Sequence, residues 1–261
     1  MLENDAFRVY NIDMDLKTFF EENQKLAVAF SGGVDSALLL YAAAGAGIDV
    51  RAYYVRSQFQ PDFELSDARE TAAYIGADLT VIVADVLSDE IIRANPADRC
   101  YYCKQRIMRC ITEQAAADGY DLIVDGTNAS DDTGDRPGYR ALAELGIRSP
   151  LKECGITKAE IRQMAREAGL AVWDKPAYAC LATRIPHGEE ITQEKLSKTE
   201  NAERILHDMG FADLRVRMRG DGALIQVRAD QYERAYANLS EITDALAPMY
   251  SEVILDDKIK R

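Results

Sequence analysis

The stretch Leu26-Ala-Val-Ala-Phe-Ser-Gly-Gly-Val-Asp-Ser36 constrains this chain more than any other. Its apolar beginning, rich in Val and Phe, reads as a buried strand that stops at Ser31-Gly32-Gly33. Ala37-Leu-Leu-Leu40 and the Ala-rich segment to Ala44 read as a helix, with Asp35 and Ser36 in its first turn. Strand, glycine turn and helix in this order build a cradle for phosphate. Paired glycines let the backbone come close to an anion, and the unpaired N–H groups of the helix start point at it. The helix dipole adds favourable charge at the same place. Ser31 and Ser36 add hydroxyl donors, and Asp35 is placed to hold a hydrated Mg²⁺ against phosphate oxygens. The Lys of a Walker A loop is missing, and with it the γ-phosphoryl clamp of a kinase or motor ATPase.

The run Ser31-Gly-Gly-Val-Asp-Ser36 resembles the PP-loop of the ATP pyrophosphatase family. The resemblance implies cleavage of ATP between its α and β phosphates, adenylation of a carbonyl or carboxyl oxygen, and release of pyrophosphate. On that footing Ser31, Gly32, Gly33, Val34, Asp35 and Ser36 bind the nucleotide. An ordinary glycine turn in an α/β protein is the competing explanation, and the match of the whole run in strand–helix context argues against it.

At 261 residues, 48% hydrophobic and 29% charged, the chain has the balance of a soluble globular protein with room for a large core. No apolar run approaches bilayer length, and the first residues lack a basic start followed by an apolar stretch. A cytoplasmic location without a membrane partner is therefore expected. The net charge of −13 argues against a nucleic-acid partner and for a small-molecule substrate. The five cysteines, Cys100, Cys103, Cys110, Cys154 and Cys180, are poor material for structural disulfides in a cytosolic chain. An odd count with one tight pair points to metal or thiol chemistry for some and burial for the rest.

Beyond the glycine turn, strands are predicted at 49–55, 79–83 and 121–125, with helices at 63–75 and 101–117 between them. A helix over 12–23 leads into the first strand. Such alternation predicts an α/β fold with a parallel sheet covered by helices on both faces. Ligands of these sheets lie beyond the carboxyl ends of the strands. That rule gathers 31–36, Ser57 after the second strand, and Gly126 in Asp125-Gly-Thr-Asn128 around one crevice. A polar loop follows at 130–138. A capping box at Thr157-Lys-Ala-Glu160 opens a helix to about 168. After an irregular stretch at 176–188 come a helix over 192–209, a hairpin of 214–218 and 223–228 turned at Gly220-Asp-Gly222, a helix over 231–246 and a strand at 252–255. The expected division is a domain over 1–191 and a small α+β domain over 192–261.

Arg99-Cys-Tyr-Tyr-Cys-Lys104 places two thiols at the start of a helix, where the dipole and flanking cations favour thiolates. Two packing cysteines are the alternative. A structural zinc needs four ligands, and His187 and His207 offer no pairing with this motif, so an iron–sulfur site ranks above zinc. Cys180, taken alone, could equally be a small buried hydrophobe, as Cys110 and Cys154 are expected to be.

Arg99-Cys-Tyr-Tyr-Cys-Lys104, Asp125-Gly-Thr-Asn128, Asp135-Arg-Pro-Gly138, Arg148-Ser-Pro-Leu151 and Ala179-Cys-Leu-Ala-Thr-Arg-Ile-Pro-His-Gly188 follow the PP-loop in order. Together they resemble the LarE-type sulfurtransferases, which make the organic part of the nickel-pincer cofactor. The resemblance runs to about Arg217. It implies that ATP adenylates a carboxylate of pyridinium-3,5-biscarboxylic acid mononucleotide and that sulfur then displaces AMP to leave a thiocarboxylate. Mg²⁺ on Asp35 would neutralise the departing pyrophosphate. The family has two sulfur sources. One is the cysteine at the Cys180 position, which gives up its own sulfur. The other is a 4Fe-4S cluster on three cysteines, matched here by Cys100, Cys103 and Cys180, whose open iron carries an extra sulfide. The cluster route is the expectation.

The resemblance also carries over Glu203 as a base in sulfur transfer. Arg215 and Arg217 alternate on a predicted strand, so both face one side and could grip the substrate phosphate, with Arg184 beside them. Solvated strand and helix faces explain these residues equally well. Leu224-Ile-Gln226 departs from the family's Arg-Ile-Glu, so one carboxylate is absent. Assembly into a homo-oligomer is expected from the family. Three other readings remain: a PP-loop tRNA thiolase, which also uses three cysteines, an amide-forming ligase of the NAD synthetase type, and a nucleotide-binding module without chemistry.

Overall fold

A computed structural model of the chain describes residues 14–132 and 137–257. The elements run α1 (Met14–Glu22), β1 (Lys25–Ala29), α2 (Val34–Gly45), β2 (Asp49–Arg56), α3 (Asp62–Ile75) and β3 (Asp78–Val83). Then come α4 (Glu90–Arg93), α5 (Arg99–Ala117), β4 (Ile123–Val124), α6 (Pro137–Glu144), α7 (Pro150–Glu153) and α8 (Lys158–Glu167). The last are α9 (Gln193–Asp208), β5 (Arg215–Arg219), β6 (Gly222–Gln226), α10 (Tyr232–Ala237), α11 (Leu239–Leu246) and β7 (Val253–Leu255). Positions 12–13 of the leading helix, and Asp135 and Arg136 of the Asp135–Gly138 motif, lie outside the described residues.

The chain divides into two compact units. One comprises the chain up to Ser57, Asp62–Asp85 and Cys100–Ala177; the other comprises Gln58–Pro61, Val86–Arg99 and everything from Tyr178 on.

The first unit is an α/β fold around a four-stranded parallel sheet in the order β3-β2-β1-β4. Pairing of Ala29 with Tyr53 and of Val28 with Val124 sets the register. The two-residue period of the strand sends alternate side chains to opposite faces. Leu26 and Val28 join Leu38, Leu39, Ile161 and Ala165 in one core, whereas Ala27 and Ala29 join Tyr53, Met108, Ile111 and Ile123 in another. Burial on both sides is why β1 reads as a continuous apolar run rather than an alternating one. The strand expected over 121–125 shortens to Ile123–Val124. There Asp125 N–H turns aside to donate to Arg148 O at 2.9 Å.

The second unit holds a three-stranded sheet in the order β5-β6-β7, antiparallel at the hairpin and parallel between β6 and β7. Arg219 pairs with Gly222, and the turn between them takes Gly220 to φ +58°, which its missing Cβ allows. Helix α9 packs on β5. The helix expected over 231–246 breaks into α10 and α11 at Asn238, whose side-chain amide donates to Arg234 O at 2.7 Å and competes with the helical ladder. Among the described residues no helix is long and apolar enough to cross a membrane.

Candidate functional site

In the first unit, β1 ends where the chain must turn into α2, and Gly32 makes the turn at φ +73°. A Cβ at Gly32 would lie 3.1 Å from the Ala68 Cβ, so the position is closed to larger residues both sterically and conformationally. Gly33 precedes α2 in extended geometry, and no side chain caps the helix. The first-turn N–H groups therefore project beyond the helix end. Ser31 and Ser36 meet across the loop with their hydroxyl oxygens 3.1 Å apart, and Ser36 Oγ also donates to Gly33 O at 3.2 Å. Gly126 closes on this turn from β4: a Cβ there would sit 2.8 Å from Ser36 N and 3.1 Å from Asp35 C. Ser57 is buried just beyond the end of β2.

Asp35 is the loop's carboxylate. Its Oδ1 accepts from Asn128 Nδ2 at 3.3 Å, and its Oδ2 pairs with Lys158 Nζ at 2.5 Å. The strand end bearing Asn128 is held by Asp125, which accepts from Thr127 Oγ1 at 2.7 Å and Ser149 Oγ at 2.6 Å. Lys158 escapes a sequence reading because the capping box around it accounts for its neighbours: Thr157 and Glu160 do form that box. Only the fold brings α8 beside α2. Cys100 lies in the first turn of α5 and is exposed; Cys103 begins the next turn and is partly buried.

In the second unit, Cys180 precedes a single 3₁₀ turn, Leu181–Arg184. Cys180 O accepts from Thr183 N and Thr183 Oγ1 at 2.9 and 2.8 Å, and Leu181 N donates to Phe59 O at 2.9 Å. Arg184 is buried and does not reach outward. It donates to Glu203 through Nε at 2.7 Å and Nη2 at 3.1 Å, and to Ala179 O through Nη1 at 2.8 Å. Glu203 also accepts from Tyr178 Oη at 2.6 Å and Val216 N at 3.0 Å. Burial alone would lower the Arg184 pKa, but the Glu203 carboxylate more than offsets it and the net shift is upward.

Arg215 and Arg217 follow on β5. Arg217 donates to Gln226 Oε1 at 2.9 Å and Thr183 O at 2.8 Å. Gln226, which stands where the family usually has a carboxylate, thus accepts from this guanidinium and donates to Asp256 Oδ2 at 2.7 Å. Both arginines have lowered pKa values, first through burial and then through neighbouring guanidinium charge. Segment 182–188 is further tied down by Asn95, a fully buried residue at φ +54°. Its amide donates to Ile185 O and Pro186 O, while its Oδ1 accepts from buried Arg99 at 2.7 Å.

None of the five cysteines forms a disulfide. Among the described residues, no group of three or more His, Cys, Asp or Glu side chains is gathered as a metal site.

A parallel sheet carrying this strand–glycine turn–helix belongs to the PP-loop class of α/β proteins. No family model matches the chain. It is 35% identical over 206 residues to the pyridinium-3,5-bisthiocarboxylic acid mononucleotide synthase of Lactiplantibacillus plantarum, which covers 78% of this chain and 75% of the relative. It is 37% identical over 227 residues to the uncharacterized protein slr1717 of Synechocystis, covering 87% and 85%. The tRNA-specific 2-thiouridylase MnmA of Frankia alni is a more distant relative, 29% identical over 189 residues, 58% of this chain and 53% of that one. The chain belongs to the LarE family of PP-loop sulfurtransferases, and it is an enzyme.

Proposed function

We propose that the enzyme uses ATP to adenylate the carboxylates of pyridinium-3,5-biscarboxylic acid mononucleotide and replaces AMP with sulfur, one carboxylate per cycle. The observation that carries this reading is the cradle formed by Ser31, Ser36 and the uncapped start of α2, with Gly126 against it. In the first step a substrate carboxylate oxygen bonds to the α-phosphorus, and the bond from that phosphorus to pyrophosphate breaks. In the second, a sulfide sulfur attacks the acyl carbon and AMP departs with the bonding electrons; where the Cys180 thiolate attacks instead, the thioester formed releases thiocarboxylate as its Cβ–S bond breaks and the Cys180 α-proton is removed, leaving dehydroalanine. The N–H groups of α2 and the serine hydroxyls hold the phosphates. Mg²⁺ bound through Asp35 and phosphate oxygens would offset charge on the leaving pyrophosphate; a single hard carboxylate with phosphate oxygens suits that ion.

Arg215 and Arg217 receive the phosphate of the mononucleotide in this reading. Glu203 acts first as the anchor of the Cys180 segment through Arg184 and Tyr178, and can serve as the family's base only after one of those bonds opens. The resemblance assigns Cys100, Cys103 and Cys180 to a 4Fe-4S cluster, which when bound would supply a displaceable sulfide; the alternative source is the Cys180 sulfur itself. It also carries a cytoplasmic location and a homo-oligomer, the latter tested by light scattering.

The deciding experiment is anaerobic incubation of the purified enzyme with ATP, Mg²⁺ and the biscarboxylate, followed by intact-mass and iron analysis. Thiocarboxylate with an iron-loaded protein of unchanged mass supports the cluster, and loss of the elements of H₂S from the chain supports sacrifice of Cys180. No thiocarboxylate, with pyrophosphate released only on adding tRNA, would replace this reading with the tRNA-thiolase function named for the Frankia relative.

A further inference from the structure

We infer that Lys158 is the phosphate-gripping cation of the nucleotide site, held by Asp35 until Mg²⁺ takes that carboxylate and then turning to the β- and γ-phosphates of ATP. The inference rests on the ATP-binding part of the function proposed above. Lys158 Nζ lies 2.5 Å from Asp35 Oδ2, and the two side chains keep 35% and 25% of their surface exposed, so the pair meets solvent. Asp35 sits in the first turn of α2, the helix whose N–H groups and neighbouring hydroxyls form the cradle.

Only the stem of Lys158 is free to swing. Its backbone N–H donates to Ser130 Oγ at 3.0 Å, and Thr157 and Glu160 cap the helix it begins. An ammonium on a four-carbon stem is a mobile point charge. A divalent ion and this ammonium compete for the same carboxylate oxygen. When the ion wins, the nearest acceptors of comparable charge are phosphate oxygens in the cradle. Lys158 thereby supplies from a distant helix the cation that the loop lacks in its own sequence. Mg²⁺ and ATP become linked through one side chain, each favouring the other.

The test is calorimetric titration of the full chain with ATP and with AMP in MgCl₂, comparing wild type, K158Q and K158R. AMP lacks the β- and γ-phosphates and serves as the internal control. The pair is only partly buried, and a thermal melt of each variant confirms that it is folded before titration. K158Q should bind ATP about tenfold more weakly, the factor one charge-assisted hydrogen bond supplies, with AMP binding little changed. K158R should recover part of the loss. The MgCl₂ concentration that half-saturates ATP binding should fall in K158Q, because no ammonium competes for Asp35. Equal weakening of ATP and AMP, or of neither, overturns the inference. Thiocarboxylate formation by the wild type is scored separately. Product formed alongside an unaltered ATP-to-AMP ratio in K158Q sinks the role of Lys158 alone; an altered ratio without product sinks only the substrate assignment.

Discussion

The Arg184 guanidinium grips the Glu203 carboxylate through two hydrogen bonds, 2.7 and 3.1 Å long, with their side chains 0% and 4% exposed. Removing one partner strands a buried charge. E203A should therefore lower the free energy of unfolding by about 3–5 kcal/mol, and E203Q, which keeps the shape and some of the bonds, by less. Urea denaturation of the two variants checks the order, and equal losses would show that charge is not the issue.

Gly126 carries a second expectation. A methyl at this position would press on Ser36 N at 2.8 Å, and backbone rather than a flexible side chain is what it meets. G126A should cost about 1–3 kcal/mol of stability through overpacking. It should also weaken ATP binding, because the start of α2 is the part that must shift. A variant with normal ATP affinity would mean that the closeness of Gly126 to the helix serves packing alone.

Asn95 joins two separable effects, backbone strain and hydrogen bonding. N95A loses both the bonds to Ile185 O and Pro186 O and the tolerance of Asn for φ +54°. N95G loses the bonds but not the tolerance. Thermal melts should rank wild type above N95G above N95A. Each lost buried bond is worth about 1 kcal/mol, and the strained alanine backbone adds about 1–2 kcal/mol.

Alkaline pH should weaken the first unit through Tyr120. Burial and its bond to Asp49 Oδ1 raise its pKa from 10.0 to about 12. Tyr53 is raised likewise, by burial and by Asp118. The unfolded chain releases these protons near pH 10 while the fold retains them, so stability present below pH 10 is lost as pH climbs toward 12. On the acid side Asp49 and Asp118 are held below the ordinary 3.8, first by the hydroxyls of Tyr120 and Tyr53 respectively, so their contribution disappears as pH falls through that range. Urea midpoints between pH 9 and 12 should decline less steeply in Y120F than in the wild type. Parallel curves would refute the assignment.

The sequence made the first unit legible where one physical signal dominated. An apolar run ending in paired glycines could only be a buried strand meeting a helix, and the alternation after it fixed the parallel sheet. Shorter elements gave no period to read. Helix α4 has four residues, and its signature is the Asp89 carboxylate capping Ile91 and Ile92. The partnership of Lys158 with Asp35 joins positions 123 apart in sequence and leaves no local trace. Arg184 read as a cation beside the substrate phosphate, and its burial against Glu203 depends on a helix that lies beyond the 3₁₀ turn in sequence. Local spacing reveals what a segment is, whereas the partner of a buried charge is decided by the packing of remote segments.

The guanidiniums on β5 also bear on the stability of the second unit. Arg215 and Arg217 are half withdrawn from water and repel each other and Arg184. A multivalent anion placed among them would offset part of that repulsion, so its binding would also stabilise the unit. If these arginines hold the substrate phosphate as proposed, the heat resistance of the second unit should rise when that anion binds.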